Sequence, residues 1–224
     1  MKLKQGTVLP DCDFEVDSCG WNDAVELNST QFFRFTRTKG SLHPNGDYAP
    51  PTDHVNNADG VYMWASALLG KPGDHTELTS PKVIYQMIYQ APTLSYQVME
   101  DNSICFNFWF EMTHNSGIEK LEIHVEGQRD LTRIKVWEFQ QKHLDFWEEG
   151  RVELHKLAHE DYKIVITAER GDLQSGYVAL DDFHFETSEQ EEFCSIKPPV
   201  RCHTDSNLQN NMLYKDFATP NTTS

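Results

Sequence analysis

The chain has 224 residues, with 35 acidic and 19 basic side chains, and its formal net charge is -16. That charge disfavours nucleic acid and anionic lipid as partners, because their phosphates attract basic surfaces. With 38% hydrophobic and 12% aromatic residues, the composition is typical of a folded protein, and a chain of this length often forms a single all-β domain.

Strand signals follow one another along the chain, separated by turn residues, and no long helical period is present. This pattern predicts an all-β sandwich or barrel. The segment 104–112 is apolar on both faces, so we expect a central strand with Phe108 and Trp109 buried. Residues 140–149 have a weak helical pattern that is too short to predict a helix. The predicted strands cover residues 31–38, 61–67, 83–89, 104–112, 121–126, 133–140, 152–157, 162–168 and 177–185.

The five cysteines fit no common zinc-binding spacing. In an oxidising compartment four of them would form two bridges, and three pairings of four cysteines exist. The last one, Cys202, lies in a polar C-terminal stretch, where it is a free thiol, an intermolecular partner or the first cysteine of a further module. The other four are Cys12, Cys19, Cys105 and Cys194.

The compartment is inferred from targeting signals and from cysteine usage. The first residues lack the apolar run of a signal peptide, and no stretch approaches the ~20 apolar residues of a membrane span. The cysteines nevertheless fit an oxidising compartment better than a reducing one. We therefore interpret the chain either as a domain excised from a larger extracellular protein or as the product of a gene model that lacks its flanking segments. Asn28 and Asn221 open N-glycosylation sequons.

The strand at 177–185 carries an acid on an apolar face. Period-2 alternation places Asp181 on the same face as Tyr177, Ala179, Phe183 and Phe185. A buried carboxylate requires a partner, because an unpaired buried charge is very costly. The same alternation points Asp182 to the opposite face, into solvent.

Two partners for Asp181 are considered. One is a structural cation such as Ca²⁺, with Glu15, Asp17 and Asp53 as further oxygen ligands from separate segments of the chain. The other is Arg170, in the preceding strand, which would form a buried ion pair. The residues alone leave both alternatives open.

Catalytic signatures are weak. Glycoside hydrolysis requires two carboxylates that converge on one bond, whereas neighbours on a strand, such as Asp181 and Asp182, point to opposite faces. The ten histidines show no H-E-x-x-H spacing, and no G-x-S-x-G motif is present. We expect a protein without enzymatic activity.

Several motifs occur in one order and with regular spacing between residues 11 and 195. They are Cys12-Asp-Phe-Glu-Val-Asp-Ser-Cys-Gly-Trp21, Asp53-His54, Gly60-Val-Tyr-Met-Trp64, Gly73-Asp-His-Thr-Glu-Leu-Thr-Ser-Pro81, Cys105-Phe-Asn-Phe-Trp-Phe-Glu-Met112, Trp147 with Gly150-Arg-Val152, and Glu169-Arg-Gly171 with Gly176-Tyr-Val-Ala-Leu-Asp-Asp-Phe183. Together they resemble the MAM domain, an extracellular module of meprins, neuropilins and receptor tyrosine phosphatases.

The resemblance implies a two-sheet antiparallel sandwich of jelly-roll type, with bridges Cys12–Cys19 and Cys105–Cys194. It divides the chain into a lead-in at 1–10, the MAM domain at 11–195 and a linker or disordered tail at 196–224. It also implies a non-catalytic adhesion module with protein partners, among them a second copy of itself, in a secreted or membrane-attached parent protein. A carbohydrate-binding module is the alternative, and it would be favoured by Trp137 or Trp147 exposed in a groove.

Overall fold

The computed structural model describes residues 9, 11–23, 32–46, 48–83, 103–113, 117–129, 131–140, 144–154, 161–188 and 194–198. Two antiparallel sheets of five strands each pack face to face, which confirms the predicted all-β sandwich of jelly-roll type. Within the described part of the chain, no helix is long and apolar enough to cross a membrane.

Ten strands and one short 3-10 helix, Gly40–Leu42, form the described structure. The strands are β1 (Asn22–Asp23), β2 (Thr36–Lys39), β3 (Val61–Ser66), β4 (His75–Thr79), β5 (Ser103–Met112), β6 (Ile118–Gly127), β7 (Arg133–Phe139), β8 (Leu144–Leu154), β9 (Tyr162–Arg170) and β10 (Tyr177–Ser188). The first sheet has the order β1-β4-β9-β6-β7, and the second sheet has the order β2-β3-β10-β5-β8.

Two segments differ from their sequence patterns. The described part of 140–149 that begins at Leu144 is not helical but belongs to β8, because it pairs along β5 from Ile104↔Leu154 to Met112↔Leu144. Of the strand expected at 83–89, only Val83 lies within the described residues, and it forms an isolated bridge with Tyr162.

The last two strands, β9 and β10, follow each other in sequence but do not pair. β9 lies between β4 and β6 in the first sheet, and β10 lies between β3 and β5 in the second sheet. The polar loop at 171–176 therefore crosses from one sheet to the other. This crossover places the ends of β9 and β10 in different layers of the sandwich.

The core between the sheets is built around aromatic rings on the inner face of β5. Phe108 is 1% exposed, as expected, and its ring meets that of Trp137 edge to face at 5.3 Å. Phe110 meets the same indole at 5.4 Å. The expectation for Trp109 is wrong: it lies half-buried on the outer face of β5, because alternate residues of a strand face opposite sides.

The outer face of the second sheet is partly covered by residues 48–58. Tyr62 Oη donates a hydrogen bond to the carbonyl of Pro50 at 2.5 Å, and Trp147 Nε1 donates to the carbonyl of Thr52 at 3.1 Å. Ala49 of this segment forms a small apolar cluster with Tyr62, Tyr177 and Ala179 of the sheet. Residues 48–58 therefore form an ordered segment whose backbone carbonyls accept hydrogen bonds from side chains on the outer face of the second sheet.

Replacing Gly150 by alanine should destabilise the fold. A Cβ at this position would lie 2.2 Å from Phe108 Cζ, whose ring is held in the core. We expect a loss of about 1–3 kcal/mol in the free energy of unfolding, measured by urea denaturation. The loss should shrink in a Phe108→Leu background, which removes the colliding ring atoms.

Gly171→Ala is the matched control, because the nearest atom to its new Cβ lies at 3.4 Å. We expect its free energy of unfolding to stay within about 0.5 kcal/mol of the parent. Equal losses for Gly150→Ala in the parent and in the Phe108→Leu background would contradict the packing of β5 on β8.

Candidate functional site

A β-bulge in β10 reorients its side chains. Asp181 pairs with Trp109 of β5, but the next pair is His184 with Asn107, so β10 contains one extra residue. Asp182 has a φ of 43°, the left-handed conformation that allows such a kink. After the bulge, each side chain of β10 faces the side of the sheet opposite to the one that strict alternation predicts.

The inversion corrects the predicted facing of β10. Tyr177 and Ala179 lie with Asp181 on the outer side of the second sheet, as predicted. The prediction that Phe183 and Phe185 share that face is wrong, because both pack in the core between the sheets. An extra residue between Asp181 and Phe183 moves everything after it to the opposite face.

The bulge brings two neighbouring carboxylates onto one imidazole. His54 Nδ1 lies 3.2 Å from Asp181 Oδ2, and His54 Nε2 lies 3.3 Å from Asp182 Oδ2. Both ring nitrogens can donate together only in the protonated imidazolium. The prediction that Asp181 and Asp182 diverge, with Asp182 pointing to the opposite face, is therefore wrong. The His54 ring also stacks on Trp109, with 5.0 Å between centroids.

Asp181 is buried, with 4% of its side chain exposed. Besides the His54 ring, it accepts hydrogen bonds from the backbone N–H of His54 at 3.4 Å and of Asp182 at 2.9 Å. The pKa of Asp181 is raised to about 7 overall, because burial and the charge of Asp182 raise it by more than the hydrogen bond from His54 lowers it; burial is the largest cause. Asp181 is thus a carboxylate held by donors in a poorly solvated position.

Asp182 lies at the exposed side of the same group. Burial raises the pKa of Asp182, the charge of His54 opposes this, and Asp13, Asp53 and Glu15 raise it further. Several carboxylates therefore act on one another around a single imidazole. The ligand atoms of His54, Asp181 and Asp182 lie within 4.8 Å of one another, close enough to hold one metal ion.

The predicted cation ligands have different places in this arrangement. Asp53 is buried and its Oδ1 accepts hydrogen bonds from the N–H groups of Val55 and Asn57, so it shapes the loop that carries His54. Glu15 Oε1 accepts a hydrogen bond from Val61 N–H at 2.9 Å. Asp17 accepts one from Cys19 N–H at 2.6 Å and does not join the group.

Sequence reasoning missed His54 and Asp182 as members of the site. His54 directly follows Asp53, and Asp182 directly follows Asp181; Asp53 and Asp181 were predicted as candidate ligands. The sequence could have indicated His54, because it directly follows Asp53, which was already considered as a cation ligand. For Asp182 the signal was absent, since strand periodicity assigns it to the other face.

The predicted ion pair of Arg170 with Asp181 is not formed among the described residues. Arg170 is 1% exposed, and its Nε donates to the carbonyl of Ala67 at 2.9 Å while its Nη1 donates to that of Gly171. The reason is topological. Arg170 ends β9 and points between the sheets, whereas Asp181 points outward from the second sheet.

Both disulfides implied by the family resemblance are present. Cys12–Cys19 and Cys105–Cys194 have Cα–Cα distances of 5.9 and 5.4 Å. Cys12 also exchanges two backbone hydrogen bonds of 2.8 Å with Phe183, directly beside the bulge. The small disulfide loop is therefore attached to the candidate site. Asn28, Asn221 and Cys202 lie outside the described residues.

A depression of about 230 Å³ adjoins the site on the outer face of the second sheet. Its polar lining comes from three neighbouring strands, and Trp109 contributes the aromatic surface. Trp137, by contrast, is 3% exposed, and Trp147 packs edge to face on Tyr62. The residues that line the depression include Asn107, Trp109, Glu149, Arg151, Asp182, His184 and Glu186.

Removing the His54 imidazole should leave the buried carboxylate of Asp181 without one of its hydrogen-bond donors. We expect His54→Ala to lower the free energy of unfolding by about 1–3 kcal/mol, because Asp181 loses a hydrogen-bond donor in a desolvated position. The cost should be smaller in an Asp181→Asn background, where no charge is buried. Urea denaturation of the parent, the two single variants and the double variant measures this coupling.

His75→Ala is the control for this cycle, because that side chain is 59% exposed on the first sheet. Its effect should be within about 0.5 kcal/mol of zero. An identical cost of His54→Ala in the parent and in the Asp181→Asn background would show that the imidazole does not stabilise this carboxylate.

Comparisons with known proteins agree with the motifs. The family model of the MAM domain, meprin/A5/mu, matches residues 12–195. Neuropilin-1 of Rattus norvegicus is 26% identical over 147 residues, which are 65% of this chain and 14% of that protein. Thyroid hormone-induced protein B of Xenopus laevis is 26% identical over 190 residues, which are 83% of this chain and 24% of that protein. The chain thus spans less than a quarter of the length of these relatives.

Solved structures match the chain at low identity. A xylan-binding domain of Paenibacillus barcinonensis is 12% identical, covers 83% of this chain and 97% of its own, and has a TM-score of 0.47. The K2 adhesin domain of Lys-gingipain is 13% identical, covers 79% of this chain and 99% of its own, and also has a TM-score of 0.47. The family model spans most of the chain, and the chain therefore belongs to the MAM domain family.

Proposed function

We propose that this domain is a non-catalytic, extracellular protein-interaction module of a larger secreted or membrane-attached protein. The observation that carries the proposal is membership of the MAM family over residues 12–195. The resemblance seen in the sequence implies adhesion and oligomerisation as the roles of such a module. A second copy of the domain is the partner that we test first.

The two disulfides support an extracellular location. Bridges of this kind persist in oxidising compartments and are rare in the cytosol. Cys105–Cys194 joins residues 89 positions apart, and on the chain-entropy model a loop of this size contributes roughly 4 kcal/mol to stability. The sandwich is thus suited to a compartment in which this bridge forms.

The geometry of the acids supports a role without catalysis. A general acid must reach the bond that it protonates. Asp181 is 3% exposed, and its carboxylate is held by His54 and by two backbone N–H groups. Although Asp181 and Asp182 converge, the first of them is covered by the loop that carries His54.

Homophilic binding predicts association of the domain in solution. We expect the molar mass of secreted, disulfide-bonded domain, measured by size-exclusion chromatography with multi-angle light scattering, to rise with concentration. Beads that carry the domain should aggregate, whereas beads that carry the same protein after reduction and alkylation should not. A molar mass that stays at the monomer value, together with beads that do not aggregate, would contradict homophilic binding. The proposed interaction would then have to be with a different protein.

We also propose that a cation, with Ca²⁺ as the first candidate, binds beside Asp182. Carboxylates of Asp13, Glu15 and Asp53 act electrostatically on Asp182, and His54 is the cationic group that opposes them. Oxygen donors from separate segments suit Ca²⁺, while the imidazole would favour a transition metal. A bound cation would reduce the repulsion among these acids and join the N-terminal loop, the loop of His54 and the bulge.

Calcium should therefore stabilise the folded domain. The gain is about 2.7 kcal/mol when the free ion exceeds its Kd a hundredfold. We expect thermal melts of the parent to shift upward with Ca²⁺ and downward with EDTA, and Asp182→Asn to lose this dependence. Asp172→Asn, a control in the exposed 171–176 loop, should retain it. Equal melts with Ca²⁺ and with EDTA in the parent would show that no calcium is bound, and parallel melts with Zn²⁺ test the transition-metal alternative.

A further inference from the structure

The depression on the second sheet is floored by side chains from three adjacent strands. Asn107 and Trp109 of β5 point outward between β10 and β8. Asn107 pairs with His184 on one side and with Arg151 on the other, and Trp109 pairs with Glu149. Neighbouring strands are about 4.8 Å apart and alternate residues about 6.8 Å apart, so polar groups surround the indole at regular short spacings.

Ordered chain contacts residues that line the depression on two of its sides. On one side the segment 194–198 is fixed by Cys105–Cys194 and by two backbone hydrogen bonds of 2.9 Å between Lys197 and Arg151. On the other side the His54 ring rests on Trp109. The result is a shallow, mainly polar concavity of about 230 Å³ on the sheet, and this suits one small polar group rather than a large apolar ligand.

Each charged group that lines the depression contacts a group of opposite charge or an imidazole within the protein, and His184 contacts a carboxylate. The pairs are Glu149 with Lys197 at 2.6 Å, Arg151 with Glu186 at 3.1 Å, Asp182 with His54 at 3.3 Å and His184 with Asp11 at 2.7 Å. An ionic ligand would have to compete with these partners, whereas a neutral polar ligand would not.

Hydrogen-bonding capacity nevertheless remains. A carboxylate has about four lone-pair positions and a guanidinium has five N–H donors. Lys197 engages only Oε2 of Glu149, and Arg151 uses Nε on Cys105 Sγ and Nη2 on Glu186. Among the described residues, the amide nitrogen of Asn107 donates to no group. Donors and acceptors are thus mixed around one aromatic ring.

We propose that this depression binds a neutral sugar residue. A pyranose has an apolar face of C–H groups, which suits the part of the Trp109 indole that the His54 ring leaves exposed. Its rim of hydroxyls both donates and accepts hydrogen bonds, which suits Asn107, Glu149, Arg151 and Glu186. Sialic and uronic acids are disfavoured, because their carboxylates would lie among those of Glu149, Asp182 and Glu186. The site is independent of the protein–protein interaction proposed above, and either can exist without the other.

An array of neutral and acidic oligosaccharides tests the class of ligand. We expect the disulfide-bonded domain to bind neutral oligosaccharides on the array. If the sugar is linked to a protein, the domain should bind the glycoprotein, and enzymatic deglycosylation of that glycoprotein should abolish binding. Titration of the retained oligosaccharides should change the tryptophan fluorescence of the parent but not that of Trp109→Phe. Retention of acidic oligosaccharides alone, or of none, would overturn the proposal.

Two substitutions locate the site. Asn107→Ala and Glu186→Gln should each weaken binding about 3–10-fold, the loss of one hydrogen bond to a neutral ligand. Glu138→Gln is the matched control: its side chain is 30% exposed and ion-paired, like the 43% exposed Glu186, but it lies on the first sheet. Circular dichroism and thermal melts identify any variant that fails to fold. Folded variants of Asn107 and Glu186 that bind as the parent does would overturn the assignment to this depression.

Discussion

The bulge in β10 is the constraint on which the site depends. A strand in strict alternation would send Asp181 and Phe183 to the same side, and one of them would lie in the wrong environment. The extra residue at Asp182 lets Asp181 face the outer loop while Phe183 enters the core, where it meets Phe14 at 4.9 Å and Trp21 at 4.7 Å. Cys12 pairs with Phe183 at the same point, so the first disulfide loop is placed by the bulge as well.

The loop of His54 completes what the bulge begins. Asp53 accepts two backbone N–H groups of its own loop, a local turn that fixes the position of the next residue. Gly60 permits this turn, since a Cβ there would lie 1.9 Å from Asp53 Oδ2. His54 is thereby held between Asp181, Asp182 and the Trp109 ring. A buried carboxylate is tolerable here because an ordered loop and the bulge of β10 supply the groups that donate hydrogen bonds to it.

Much of this could be predicted from the sequence, for identifiable reasons. Alternation over many short segments predicts a sandwich, and the family motifs imply both disulfides. The side of the sheet that each side chain of β10 faces could not be predicted beyond Asp181, because strict alternation gives no indication of an extra residue in a strand. The partner of Arg170 depends on which sheet receives β9, and a loop of six residues can join strands of one sheet or of two. Residues 144–149 show that pairing with β5 overrides a weak helical pattern.

The two outer faces of the sandwich differ in how they carry charge. On the first sheet, cations and acids alternate across strands: Arg133 contacts Glu77 and Glu126, and Lys120 contacts Glu169. Exposed pairs of this kind contribute only about 0–1 kcal/mol each and leave little net field. Beside the bulge, by contrast, the electrostatic neighbours of Asp182 include the acids Asp13, Glu15 and Asp53 and one imidazole, that of His54. Among the described residues, negative charge is therefore concentrated where the disulfide loop, the His54 loop and β10 meet, and the proposed cation would bind there. The adjoining depression is different again, because its charges are paired and its aromatic ring is half-buried. The proposed cation site and the proposed site for a neutral ligand thus lie side by side on one sheet and share Asp182, but their chemistry differs.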